Sequence, residues 1–348
     1  MASNSSSQNM KPSPDNSDVK ELNKDERIIV IFHLDTNLRN QKLDEICQIA
    51  AQCGEKEFQV YMLPENSFNY NASAANGFGI VQNGTKKQLI HDKKVVNAVS
   101  EEDGLKKFLE FLRDQTSNNC TALLAAYNCL TYHRYVLIRL LIKYNLLNNF
   151  ESLVLGFIDT MKIFKEMLPI EEIETEGSSK KTYELKDLAK QFLNYPIPDT
   201  IHAKINVEIS VSLIEKYKYD IVLMKKHADD LKEFIRYYDL RSTFGVIKKD
   251  NKRDAAFEGY LRKMAKAGIT VDKVENAYKQ DPTNGIPNLL KDPLLSFTPK
   301  AIQKINDIVK VCLDNRPPTT RPTSLVVSEP ICYAGGRGFD SHPAQMSL

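Results

Sequence analysis

No stretch of this 348-residue chain approaches the roughly 20 consecutive apolar residues of a membrane-spanning helix, so no helical span is expected within it. Its opening residues, rich in Ser, Asn and Pro, are too polar to read as a signal peptide. The six cysteines, at positions 47, 53, 120, 129, 312 and 332, form no Cys-x-x-Cys pair and have no regular spacing. That argues against a zinc-finger or disulfide framework; a reduced cytosolic setting is expected, with Cys47 and Cys129 as core filler. Charge of one sign is also lacking: 47 basic side chains face 45 acidic ones, for a net charge of +2. Any basic surface must therefore come from local segregation of charge. There are no internal repeats, and the single Arg337-Gly338 unit is too little for an Arg/Gly-rich RNA segment.

What is present is ordinary for a soluble globular protein: 42% hydrophobic and 26% charged residues. The length gives room for about two domains. Residues 1–26 are expected to be disordered. Arg27 to Phe32 is a β-branched apolar run of the kind found in a buried central strand, and Glu45–Ala51 and Glu57–Leu63 follow at strand length, predicting a β-meander. Ser100 opens an amphipathic helix carrying Leu105, Phe108, Leu109 and Leu112 on one face. Thr121–Ala126 and Val154–Phe157 are predicted strands, and Tyr135–Leu147 is a helix apolar nearly all round. Glu171–Lys181 is predicted as a loop. Helices are predicted at Leu185–Leu193, before Pro196, and at Ala203–Tyr217. The sum is an α/β layer architecture. Past a linker at 218–228, segments near 229–241, 253–267, 270–279 and 298–313 give a small all-α unit over 229–313, then a loose tail over 314–348.

The chemistry-bearing segments come in a telling order. Phe32-His33-Leu34-Asp35-Thr36-Asn37 resembles the first motif of the DEDDh 3′–5′ exonucleases, in which an apolar residue precedes Asp-x-Glu-Thr-Thr-Gly. Ala126-Tyr127-Asn128-Cys129-Leu130-Thr131-Tyr132-His133 resembles the second, Ala-His-Asn-x-x-x-Phe-Asp. His202-Ala203-Lys204-Ile205-Asn206-Val207 resembles the third, His-x-Ala-x-x-Asp. The resemblance implies an RNase H-like exonuclease fold, a mixed sheet flanked by helices. It also implies that His33, Asp35, His133 and Val207 stand where that family holds two Mg²⁺ ions with four carboxylates, and that the general-base histidine is His202. A one-residue shift of the last motif puts Asn206 or Glu208 near the metal position instead. Only Asp35 keeps a carboxylate, and hard cations demand anionic oxygens. A pseudonuclease with no resident metal or cofactor is expected.

Over roughly residues 27–292 the chain is similar to the Exuperantia family. The likeness runs through Asp44-Glu45-Ile46, Gln48-Ile49-Ala50-Ala51, Tyr61-Met62-Leu63-Pro64, Leu105–Leu109, Leu140–Phe150, Phe257–Ala265 and Ile286–Leu290. It implies an inactive exonuclease-like domain over 27–217 followed by a SAM-like domain. It further implies an RNA-binding adaptor of messenger ribonucleoprotein particles, germline and cytoplasmic (in granules), homodimeric through the exonuclease-like domain and without a membrane. Lys248, Lys249, Lys252, Arg253, Arg262, Lys263 and Lys266 are the candidate phosphate contacts. On the helix from about Arg253, Phe257, Tyr260, Leu261 and Met264 face the core and leave Arg262, Lys263 and Lys266 on the solvated side.

Other readings stay open at this point. His33, Asp35, His133 and His202 form a plausible tetrahedral zinc set if the fold gathers them. An active nuclease with an atypical metal site would use these four with Glu208, and a SAM-like domain can equally serve a purely protein-binding adaptor. Phe68, Tyr70 and Phe78, in the loop-rich segment 64–84, either stack on bases or fold that segment onto the domain.

Overall fold

A computed structural model of the chain describes residues 27–38, 40, 42–116, 120–168, 183–247, 254–315 and 332–333. The first strand, β1 (Arg27–Thr36), is the organising element. Its β-branched and aromatic residues alternate between two apolar layers, as a strand's period of two requires. Val30, Phe32 and Leu34 enter one core, while Ile31 enters the other. β1 continues four residues beyond the predicted run, carrying His33 and Asp35 on the same face as Ile31.

β2 (Ile46–Cys53) and β3 (Lys56–Met62) complete the expected meander. Beyond it the chain forms α1 (Tyr70–Asn76), then β4 (Phe78–Asn83), β5 (Lys86–His91) and β6 (Lys94–Val95), a separate three-stranded sheet. β7 (Ala98–Val99) returns to the main sheet and leads into α2 (Glu101–Gln115). The Ser100 hydroxyl accepts the Asp103 N–H at 3.1 Å, a cap that stabilises α2 by about 1 kcal/mol. Leu105, Phe108, Leu109 and Leu112 are buried, as their spacing predicts.

β8 (Thr121–Ala126) precedes a π-helical turn at Cys129–His133, α3 (Arg134–Lys143) and α4 (Leu147–Glu151). β9 (Val154–Asp159), α5 (Thr160–Met167), α6 (Leu185–Leu193) and α7 (Ala203–Lys216) follow. The predicted loop at 171–181 lies outside the described residues. The seven-stranded sheet has the order β10-β9-β8-β1-β2-β3-β7. β1 runs antiparallel to β2, with Asp35 opposite Gln48, and parallel to β8. This is a mixed α/β sheet with helices on both faces.

The span 218–228, expected as a linker, contains α8 (Ile221–Lys226) and opens β10 (Ala228–Asp230), which pairs antiparallel with β9. β10 carries the outer edge of the sheet directly into α9 (Leu231–Phe244). A helical region follows: α10 (Ala255–Lys266), α11 (Val271–Gln280), α12 (Gly285–Leu290) and α13 (Pro299–Asp314). One continuous core links Phe157 of the sheet through Phe234, Tyr237 and Leu240 to Phe257, Leu261, Ile305 and Val309. Within the expected loose tail, β12 (Cys332–Tyr333) pairs in parallel with β11 (Val246–Ile247).

Candidate functional site

The three resembling segments converge at the C-terminal end of β1. Alternation along β1 points His33 and Asp35 toward α7. The turn before α3 supplies His133. Asn128 adopts a left-handed backbone at φ +58°, and the buried Asp159 carboxylate accepts N–H groups from Asn128 at 3.0 Å and Leu130 at 3.3 Å. Asp159 also accepts the Met161 N–H at 3.1 Å, so one carboxylate fixes both the π-helical turn and the start of α5. Burial raises its pKa, with the three N–H donors opposing. The turn so fixed sets the His133 ring 4.3 Å from that of His33, edge to face.

Both imidazoles are held neutral. Burial pushes the His133 pKa down to about 4, and burial followed by the proximity of His133 lowers His33. His133 Nδ1 is buried and has no hydrogen-bond partner among the described residues. His33 Nε2 lies 3.3 Å from the Asn206 amide nitrogen.

Asp35 serves the helix that follows. Its buried carboxylate accepts the Ala203 backbone N–H at 2.5 Å, at the first turn of α7. Gln48, opposite it in register, accepts from the same N–H at 3.0 Å. Free N–H groups and the helix dipole make the start of a helix favourable for an anionic oxygen. The carboxylate therefore acts as a cap supplied from a neighbouring strand.

His202 stands immediately before α7, but its ring packs against His91 of β5 at 4.6 Å rather than against His33. Burial first, then His91, lowers its pKa to about 4. Of the two registers considered for the third motif, the structure turns Asn206 toward His33. Val207 is buried against the sheet with Ala50, and Glu208 faces away, accepting from the Tyr195 hydroxyl at 3.3 Å. A cavity of about 200 Å³ on that far side is bordered by Gln52, Glu57, Lys204, Val207 and Glu208. His33 and His133 thus come together, and Asp35 shares their face, while His202, Val207 and Glu208 are directed elsewhere. Among the described residues, no group of three or more His, Cys, Asp or Glu side chains is arranged to hold a metal ion. The zinc set of His33, Asp35, His133 and His202 is not assembled.

Residues 27–191 match the family model of the Exuperantia RNAse H-like domain. This segment is an Exuperantia-type RNase H-like domain. The chain is similar to the maternal protein exuperantia of Drosophila virilis, at 26% identity over 175 residues, 49% of this chain and 34% of that protein. The match thus spans about a third of the curated relative's length. Solved structures similar to the chain include zinc-bound Escherichia coli exonuclease I with single-stranded DNA, at TM-score 0.43 and 11% identity, over 61% of this chain and 43% of that one. Exonuclease I from Methylocaldum szegediense is similar at TM-score 0.43 and 13% identity, over 60% and 43% of the two chains.

Several residues that organise the Exuperantia-type domain lie outside the three nuclease-like motifs. Glu45 is buried and accepts N–H groups from Glu65 at 3.0 Å, Asn66 at 2.8 Å and the Asn37 amide at 3.0 Å. Asp44 accepts the Leu38 N–H at 2.9 Å and the Tyr132 hydroxyl. Glu101 accepts the Ile46 N–H at 2.9 Å. These anions tie down the loop beyond β1, and nothing in their spacing distinguishes them from solvated acids.

The basic candidates divide by position. Lys248, Lys249, Lys252 and Arg253 lie outside the described residues. Arg262, Lys263 and Lys266 are exposed on α10, above buried Phe257, Leu261 and Met264. Arg262 is partly engaged, its guanidinium 4.2 Å from the Tyr237 ring centroid, and the Lys263 ammonium lies 5.7 Å from that of Phe297.

Proposed function

We propose that this chain is an RNA-binding adaptor whose nuclease-like site has become structural. The observation that carries the reading is the Asp35 carboxylate, buried and 2.5 Å from the Ala203 N–H, on the strand face that also carries the neutral His33. Of the four carboxylates that bind two Mg²⁺ ions in the exonucleases it resembles, this is the one retained. Two divalent ions must shed strongly bound water, which requires several anionic oxygens. The donor set of His33, Asp35, His133 and Asn206 does not fit that group. Hydrolysis of a phosphodiester by the two-metal route is absent.

In this reading the adaptor joins messenger ribonucleoprotein particles in the cytoplasm, in the germline, and localises mRNA. It pairs with a second copy through the exonuclease-like domain over 27–217. The helical unit over 229–313 is its SAM-like domain and offers the α10 cations to phosphates. The named maternal relative supports this assignment.

Incubating labelled RNA with the protein in Mg²⁺, Mn²⁺ or Zn²⁺ tests both parts. Retarded but full-length RNA at physiological salt is expected. Metal-dependent shortening that disappears in Asp35→Ala would establish an active nuclease instead. Absence of any retained RNA would leave a protein-binding module as the reading.

A further inference from the structure

The sequence offers Phe68, Tyr70 and Phe78 alike as aromatic candidates between β3 and β5, and the fold separates them. Phe78 is 1% exposed in a small core with Leu89 and Cys47. Phe68 packs on Phe78, ring centroids 6.4 Å apart. Tyr70 is 86% exposed and has no ring, hydrogen-bond or ionic partner among the described residues. A large aromatic ring presented to water at the first turn of a short helix contributes little to folding.

Its position is fixed. Asn69 caps α1, accepting the Ala72 N–H at 2.8 Å, while its own amide donates to Leu38 O at 2.9 Å and its backbone N–H to Asn37 O at 2.9 Å. The ring therefore stands beside the end of β1, just past Asp35. At the other end of α1, about 10 Å away by helical rise, Gly77 O accepts the Asp92 N–H at 3.0 Å. That contact brings in the β5–β6 turn, whose His91 ring packs on His202.

The sheet reached this way is basic. From Phe78 to Val95 there are four lysines, Lys86, Lys87, Lys93 and Lys94, and a single acid, Asp92. This short segment is more positive than the +2 of the entire chain. All four lysines are exposed, and none forms an ion pair among the described residues. Asp92 is occupied by the Thr200 hydroxyl at 2.9 Å. Lys86 and Lys87 sit at one end of β5 and Lys93 and Lys94 beyond the other, roughly 17 Å apart at the rise of an extended strand. Lys87 donates to Glu65 O at 2.9 Å; Lys86, Lys93 and Lys94, with a ring that has no partner among the described residues, form the arrangement that holds a single strand: phosphates follow the charge, and a base covers the ring.

Resting on the RNA-binding reading above, we propose that Tyr70 with Lys86, Lys93 and Lys94 forms a contact surface for single-stranded RNA along the rim of the nuclease-like site. Tyr70 stacks on one base, and the lysines neutralise the flanking phosphates. A duplex cannot use the ring, because its bases are already stacked.

Fluorescence anisotropy with a labelled unstructured RNA and the full chain decides the matter, run against a duplex of equal length across a salt series. Tyr70→Ala is expected to weaken single-strand binding roughly five- to hundredfold, the effect of losing one stacked base. Tyr70→Phe restores it, and duplex binding changes little in either variant. Reversing Lys86, Lys93 and Lys94 to Glu lowers the salt slope by about two, near 0.7 per lost single-strand contact. If the parent chain binds RNA and these variants match it in affinity and slope, this surface is wrong and the adaptor reading stands. If the parent chain binds no RNA at physiological salt, both fall.

Discussion

The His33 and His133 rings meet edge to face at 4.3 Å, one from the central strand and the other from the π-helical turn before α3. Protonating either puts a charge into a buried contact, where the loss of solvation disfavours it. The His133 pKa therefore falls to about 4 in the folded state, against about 6.5 for an exposed imidazole. Between those values the unfolded chain binds more protons than the folded one, so stability drops as pH falls from about 6.5 to about 4. For His133, which is 4% exposed, the full effect is on the order of 3 kcal/mol. Urea midpoints at pH 7.5, 6 and 4.5 should fall steeply for the parent chain, and less steeply for His133→Phe.

Replacing Asp35 tests its role as a cap. Asp35→Asn keeps the shape but removes the charge facing the Ala203 N–H, and a charge-assisted bond of this kind contributes roughly 1–3 kcal/mol. A loss in that range is expected by chemical denaturation at pH 7. A stability gain would instead reveal a carboxylate held there at a net penalty.

Arg134 joins the two halves of the chain. It is 3% exposed, its guanidinium lies 4.0 Å from the Phe234 ring centroid, and it pairs with Asp229 at 2.8 Å. Asp229→Ala leaves that cation buried with, among the described residues, only its contacts to the Phe234 and Tyr135 rings. Because the Asp229 side chain is itself partly solvated, a loss of about 2 kcal/mol is expected, below the usual figure for breaking a fully buried pair. Arg134→Met, which keeps the stem's volume, should be milder. Thermal denaturation of both variants ranks them.

Gly156 lies in β9 where β10 presses closest. A Cβ there would sit 2.3 Å from the Asp229 carbonyl oxygen, a backbone atom that cannot swing aside. Gly156→Ala should destabilise by roughly 1–3 kcal/mol and speed amide exchange in β10 ahead of the central strands. Unchanged exchange across 228–230 would contradict this.

The strands and helices that build the sheet were legible because burial leaves a period. Thr121–Ala126, the face of α2, and the three motif segments were all visible as patterns of apolar and turn-forming residues. β10 was not: Ala228-Asp229-Asp230 has two acids in three residues and becomes a strand through backbone bonds to β9 and the pull of Arg134. The β4–β6 sheet was missed for a related reason, since its strands are short, mostly exposed and rich in Lys and Gln. At the site, the identities of His33, Asp35 and His133 could be read in advance, but their contacts could not. That Asp35 meets a helix N–H depends on where α7 starts, and that His202 turns to His91 depends on a sheet without a sequence signature.

The passage of β10 into α9 governs how the protein can be dissected. Cutting after residue 217 to isolate the nuclease-like half would remove the sheet's outermost strand, take away the acid that answers Arg134, and uncover Phe157 where Phe234 now packs. Such a fragment would be prone to collapse, and its silence in a binding assay would report damage to the scaffold rather than the location of the contact. Point substitutions on the intact chain are the instrument suited to this architecture.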